Sequence, residues 1–228
     1  MITTSSPNLQ GIAFDAYGTL FNTHSVINLA NQIFPEHGTQ LSEIWRTKQL
    51  QYTWLLSLMG HYEDFWNVTK YALTFACQQL NLICTPAIEQ QLMDAYNRLE
   101  LYPEVKAGLK QLSDRYPLVI LSNGSPDMLK TVANHAEINS YFRNILSADS
   151  VSIYKPAPQV YQLAVRAFGV SPSSIGFVSS NAWDIAGAKA FGFWTCWINR
   201  TRQPQEALGL NADLVIEQLT DLLVLLST

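Results

Sequence analysis

The sequence predicts an α/β fold: a doubly wound parallel sheet with helices on both faces and a block of helices inserted after the first strand. Two observations predict it. Short, continuous apolar runs recur along the chain with amphipathic stretches between them, the texture of buried parallel strands joined by helices. One long block near the N-terminus instead shows helical periodicity and no strand-like run.

The apolar runs are residues 11–15, 118–122, 175–179, 193–197 and 214–216. Helical patterns lie between them at 105–115, 127–135, 156–168 and 183–191. Alternation of this kind places the helices as crossovers of a parallel sheet. The inserted block, of about 80 residues, is too long for an ordinary strand-to-helix connection. It is expected to be a helical cap domain over residues 21–103, with the α/β core formed by 1–20 and 104–228. Within it, a helix over 41–59 has an apolar face of Ile44, Trp45, Leu55, Leu56 and Met59 and puts Arg46 and Leu50 four residues apart on one side. Thr85-Pro86 reads as an N-cap followed by proline at the first helical position.

Composition narrows the classes. Hydrophobic residues make up 48% of the 228 and charged residues only 14%, so a sizeable core is available and the composition argues against disorder. The net charge of −4 argues against nucleic acid or an anionic membrane as partner. Cys77, Cys84 and Cys196 are odd in number and form no CxxC pair, so buried free thiols are expected rather than a disulfide or zinc site. No run approaches the roughly 18 apolar residues of a membrane span, and the N-terminus lacks the pattern of a signal peptide. A cytoplasmic protein follows.

Three of the strand-like runs end in polar residues. The first ends in Asp15, followed by Ala16-Tyr17-Gly18-Thr19; the second in Ser122-Asn123-Gly124; the third in Ser179-Ser180-Asn181, with Asp184 close behind. Ligands of open α/β sheets bind outside the carboxyl ends of the strands, so these groups converge on one crevice. Lys155, before Pro156, is a fourth candidate. Singly, each has an ordinary reading: a strand-end aspartate caps or turns the chain, Ser-Asn-Gly is a turn, and a lysine before proline is solvated. Their joint order carries the argument.

That order resembles the haloacid dehalogenase superfamily, whose fold is Rossmann-like. The matching stretches are Phe14-Asp15-Ala16-Tyr17-Gly18-Thr19-Leu20, Ser122-Asn123-Gly124, Lys155-Pro156 and Ser179-Ser180-Asn181-Ala182-Trp183-Asp184. Most of the superfamily are magnesium-dependent phosphatases with a second aspartate two residues after the nucleophile; here Tyr17 stands there. An alkoxide needs that acid in order to leave, and a phosphate needs a cation to gather its charge. A halide needs neither. The cap stretch around Trp45-Arg46-Thr47-Lys48-Gln49-Leu50 is similar to the one that carries the halide-binding arginine of (S)-2-haloacid dehalogenases, with Thr47 departing from the glutamine of some members.

The resemblance implies hydrolysis of short (S)-2-haloalkanoic acids to (R)-2-hydroxyalkanoic acids. Asp15 is the implied nucleophile, oriented by Lys155 and Thr19. Ser122 and Asn123 hold the substrate carboxylate, and Arg46 and Asn181 receive the halide. Asp184, with Lys155, Ser179 and Asn181, handles the water, and Tyr161 hydrogen-bonds within this cluster. Tyr17, Leu50, Phe65 and Trp183 are apolar walls. The implied partners are a small 2-haloacid and a halide ion, with no metal or other cofactor, and the family implies a homodimer. Two alternatives stay open: a magnesium-dependent small-molecule phosphatase of the same superfamily, and a catalytically dead relative that serves as a binding module.

Overall fold

The computed structural model describes residues 7–226; the first six and last two residues assigned to the core lie outside them. Six parallel strands form one sheet: β1 (Gly11–Phe14), β2 (Leu118–Ser122), β3 (Asn144–Ser147), β4 (Ile175–Ser179), β5 (Trp194–Ile198) and β6 (Leu214–Ile216), in the order β3-β2-β1-β4-β5-β6. Every residue of β1, β2 and β4 is buried, which is why these strands read as unbroken apolar runs. Strand β1 lies between β2 and β4, with Phe14 opposite Ile120 on one side and Val178 on the other. The strand order reverses there, the point at which open α/β sheets bind ligands, and Asp15 follows β1 at that point.

The crossover helices are α5 (Val105–Ser113), α6 (Pro126–His135), α7 (Pro158–Phe168), α8 (Ala182–Phe191) and the C-terminal α9 (Leu219–Leu226). Two expected boundaries move for local reasons. Helix α7 starts two residues later than expected because Ala157 is extended (ψ 132) as its N-cap and Pro158 takes the first turn. Strand β5 starts one residue later because α8 ends on Gly192 (φ 107) and the Phe193 N–H folds back to the Ala188 carbonyl at 3.1 Å. Edge strand β3 was not expected. It has four residues, begins on an exposed asparagine and only half-buries its two apolar residues.

Between β1 and α5 lie four helices that pack on one another: α1 (Ser25–Ile33), α2 (Gly38–Met59), α3 (Phe65–Gln79) and α4 (Pro86–Tyr96). Asp64 caps α3 through the Trp66 and Asn67 N–H groups, and Thr85 caps α4 through that of Ile88. The expected apolar face of α2 is corrected. The buried line is Leu41, Trp45, Gln49 and Thr53, while Leu55 and Met59 are 43% and 66% exposed. Two polar residues on the buried line hid it from a hydrophobicity pattern. The chain enters and leaves this layer as a paired crossing: Asn22 N–H donates to Glu100 at 2.7 Å and Tyr102 N–H to Leu20 at 3.1 Å. Of the three free cysteines, Cys77 and Cys196 are buried and Cys84 is only half-buried. Among the described residues no helix is long and apolar enough to cross a membrane.

Candidate active site

Asp15 follows β1 and is 6% exposed. Its Oδ2 accepts from the Thr19 hydroxyl at 2.9 Å, Asn181 Nδ2 at 2.7 Å and the Ser179 hydroxyl at 3.5 Å. Its Oδ1 accepts from Lys155 Nζ at 3.2 Å. These donors reach one carboxylate because the turn after β1 brings Thr19 back over it and because β4, its neighbour in the sheet, ends in Ser179. The Ser180 N–H holds Thr19 Oγ1 at 2.9 Å, which orients the hydroxyl.

Lys155 has no solvent exposure along its side chain. Its Nζ also donates to Asp184 Oδ2 at 2.8 Å, and Tyr161 donates to Asp184 Oδ1 at 2.8 Å. The Lys155 backbone N–H is anchored on Asn123 Oδ1 at 2.9 Å, which joins the end of β2 to the cluster. Ser122 Oγ accepts from the Gly124 N–H at 3.2 Å within the same turn. Burial alone would lower the pKa of Lys155, but the Asp15 and Asp184 carboxylates outweigh it and hold the ammonium above the usual lysine value. Burial also pushes the Asp184 carboxyl up to about 6, against the opposing pull of Lys155.

Arg46 reaches this loop from α2. Its Nη2 donates to the Tyr17 carbonyl at 3.3 Å and its Nη1 to Gln49 at 2.7 Å. A cleft of about 630 Å³ opens beside it, lined by Arg46, Leu50, Asn181 and Trp183 among others. Asp15 is not part of that lining; Asn181 lines the cleft and touches Asp15 from within. Tyr17 and Phe65 are also off the cleft, their rings packed together at 5.6 Å with a 32° tilt and almost wholly buried. The Tyr17 hydroxyl has no hydrogen-bond partner, and burial raises its pKa strongly. The Trp183 ring stands edge-on to Trp54 at 5.4 Å, and both indole N–H groups are buried and unpaired.

The donor set does not fit a divalent cation. The Lys155 ammonium already pairs with both the Asp15 and Asp184 carboxylates. The Tyr17 carbonyl is taken by N–H groups of Asn181 at 3.2 Å and Arg46. Among the described residues no three His, Cys, Asp or Glu side chains are placed to share a metal.

The structure thus gathers Asp15, Thr19, Lys155, Tyr161, Ser179, Asn181 and Asp184 into one bonded network, with Ser122 and Asn123 at its edge and Arg46 above it. The sequence reading assigned no role to Gln49, Ser180, Trp54 or Arg200. Gln49 had a signal, its four-residue spacing from Trp45 and Thr53. Arg200, in the long loop after β5, had none.

A family profile described as haloacid dehalogenase-like hydrolase matches residues 9–192. An (S)-2-haloacid dehalogenase of Pseudomonas sp. (strain YL) is 46% identical over 221 residues, covering 96% of this chain and 95% of that protein. The crystal structure of an L-2-haloacid dehalogenase superposes with a TM-score of 0.95 at 44% identity, covering 97% of this chain and all of the other. The Xanthobacter autotrophicus L-2-haloacid dehalogenase with chloropropionic acid covalently bound superposes with a TM-score of 0.90 at 35% identity, covering 96% and 98%. The chain therefore belongs to the haloacid dehalogenase-like hydrolases, in the branch of the (S)-2-haloacid dehalogenases.

Proposed function

We propose that the protein hydrolyses short (S)-2-haloalkanoic acids to (R)-2-hydroxyalkanoic acids and halide through an ester on Asp15. One observation carries this reading over a phosphatase: Tyr17 stands where an alkoxide leaving group would need a carboxylic acid, and its carbonyl is already taken by Asn181 and Arg46. The covalent adduct in the Xanthobacter enzyme supports the ester.

Three donors hold Asp15 Oδ2, so Oδ1 is the oxygen we assign to attack. It approaches the α-carbon opposite the halogen; the carbon–oxygen bond forms as the carbon–halogen bond breaks, and the halide takes the electron pair. Arg46 and Asn181 receive the halide, and Ser122 and Asn123 with nearby backbone N–H groups hold the carboxylate. Asp184 then takes a proton from a water, whose oxygen attacks the ester carbonyl and not the α-carbon. The bond from the carbonyl carbon to the alkyl oxygen breaks, and Asp184 returns its proton to that oxygen as the hydroxyacid leaves. Asp15 gives up the proton brought by the water to become a carboxylate again. The α-carbon is therefore inverted once. Burial of Asp15 supports the first step, because a desolvated carboxylate is the better nucleophile. Leu50 and Trp183 would wall the alkyl end from the cleft, and Tyr17 and Phe65 from the interior.

Residues 21–103 would act as a cap over a core of 1–20 and 104–228, with the paired crossing at residues 20–22 and 100–102 as its hinge. A cytoplasmic homodimer is part of the same reading. One turnover in heavy-oxygen water with enzyme in excess tests the chemistry. The label is expected in Asp15; label found only in the hydroxyacid would mean direct attack by water. Chelator is expected to leave halide release unchanged, whereas phosphate release that chelator abolishes would favour the phosphatase.

A further inference from the structure

Arg200 lies outside every motif considered above, yet its guanidinium joins two separate segments, residues 18–19 and 102–104. Its Nε and Nη2 donate to Glu104 Oε1 at 2.9 and 2.6 Å. Its Nη2 also donates to the Thr19 carbonyl at 2.9 Å, and its Nη1 to that of Gly18 at 3.4 Å. The guanidinium carbon stands 3.7 Å from the centre of the Tyr102 ring. Both ionic partners are largely shielded, with side chains 16% and 14% exposed.

These contacts are not equivalent to a surface ion pair. Glu104 alone would satisfy a stray arginine. The carbonyl contacts fall on the turn that follows Asp15, where Gly18 adopts φ 87 and where Thr19 turns its hydroxyl onto Asp15 Oδ2. Tyr102 belongs to the returning half of the paired crossing, bonded to Leu20. One rigid planar fork thus ties the hinge of the helical layer to the loop that carries the nucleophile's partner, a task an ammonium cannot reproduce.

We infer that Arg200 is a positioning residue: held by Glu104 and stacked on Tyr102, it grips the Gly18 and Thr19 carbonyls and so sets the Thr19 hydroxyl on Asp15. The inference deepens the dehalogenase reading and rests on it for its kinetic test, but not for its structural one.

The test compares wild type, Arg200→Ala and Arg200→Lys well below their unfolding temperatures. With (S)-2-chloropropionate, Arg200→Ala is expected to lower kcat on the order of 10²-fold, the effect of misplacing a reacting group, with little change in KM. Arg200→Lys is expected to recover part of that loss. Hydrogen exchange should quicken in Arg200→Ala at amides 18–22 and 102 ahead of the rest of the chain. A lower melting temperature with unchanged kcat would reduce Arg200 to a structural role and overturn the inference. A raised KM with unchanged kcat would make it a substrate-steering cation and overturn it too. If wild type releases no halide, the functional reading fails, and the exchange pattern still decides whether Arg200 holds the loop.

Discussion

Lys155 donates to Asp184 at 2.8 Å, closer than its 3.2 Å approach to Asp15, and neither side chain of the Lys155–Asp184 pair reaches solvent. The ammonium is therefore the hub of the site: it links the group assigned to attack carbon with the group assigned to activate water. Removing one partner of a buried ionic cluster leaves uncompensated charge. Lys155→Met is expected to lose halide release and to cost about 3–5 kcal/mol of stability, read from denaturant midpoints. Stability equal to wild type would show that the cluster is not held as described.

Asp184, as the group assigned to activate water, is expected to set the acid side of the pH profile. Its carboxyl is pushed up to about 6, first by burial, so it gains a proton as pH falls through that range. Only the carboxylate can take a proton from water, so ester hydrolysis should slow below about pH 6 while ester formation continues. Tyr161 donates to Asp184 and favours its charged form. Tyr161→Phe should therefore move the acid limb to higher pH. Rapid-quench measurement of the ester at pH 5 and pH 8 checks this; no accumulation at pH 5 would contradict the role given to Asp184.

The parts of this cluster that were legible from pattern alone sit where an apolar run stops, whereas Lys155, Tyr161 and Asp184 gained their roles only from the resemblance. Asp15, Ser122 and Ser179 follow runs that are buried on both faces, so the end of the run marks the strand end and the crevice together. Strand β3 escaped because an edge strand of four residues has too little buried apolar surface to make a run. The burial of α2 was misread because Gln49 and Thr53 occupy core positions, made tolerable by hydrogen bonds that no pattern reveals. Arg200 was invisible because its partners are backbone carbonyls far away in sequence.

Gln49 is wholly buried, and its amide works in one direction. Its Oε1 accepts from Arg46 Nη1 at 2.7 Å, and its Nε2 donates to the Thr69 hydroxyl at 2.7 Å, which donates to the Phe65 carbonyl at 2.6 Å. This relay aims the guanidinium at the loop after Asp15. A hydrogen bond to a charged group contributes about 1.5–3 kcal/mol, roughly 10- to 100-fold. Gln49→Met, similar in length but without the acceptor, should weaken product inhibition by bromide by that order. Gln49→Glu should weaken it further, because its carboxylate would neutralise Arg46. Unchanged bromide inhibition in both variants would remove Arg46 as the halide receiver or Gln49 as its guide.

Gly187 lies on α8, one turn after Asp184, against Tyr161 and Pro156. A Cβ there would stand 2.5 Å from the Tyr161 hydroxyl oxygen and 2.6 Å from Pro156 Cβ. Neither neighbour can give way freely. Tyr161 is wedged among Phe177, Phe191 and Phe193, and Pro156 directly follows Lys155. The added methyl must therefore shift the Tyr161 hydroxyl off Asp184, or push the segment that carries Lys155, and either displacement loosens the hold on Asp184, the group assigned to activate water. Overpacking of this kind costs about 1–3 kcal/mol. Gly169→Ala is the matched control: its left-handed φ of 68 costs about 1–2 kcal/mol, but open space surrounds it, at the C-terminal end of α7, the helix that carries Tyr161 in its first turn. Both variants should unfold earlier than wild type, and only Gly187→Ala should lose turnover, on the order of 10²-fold. Equal activity in the two would mean that the Tyr161–Asp184 contact contributes to the fold and not to the chemistry.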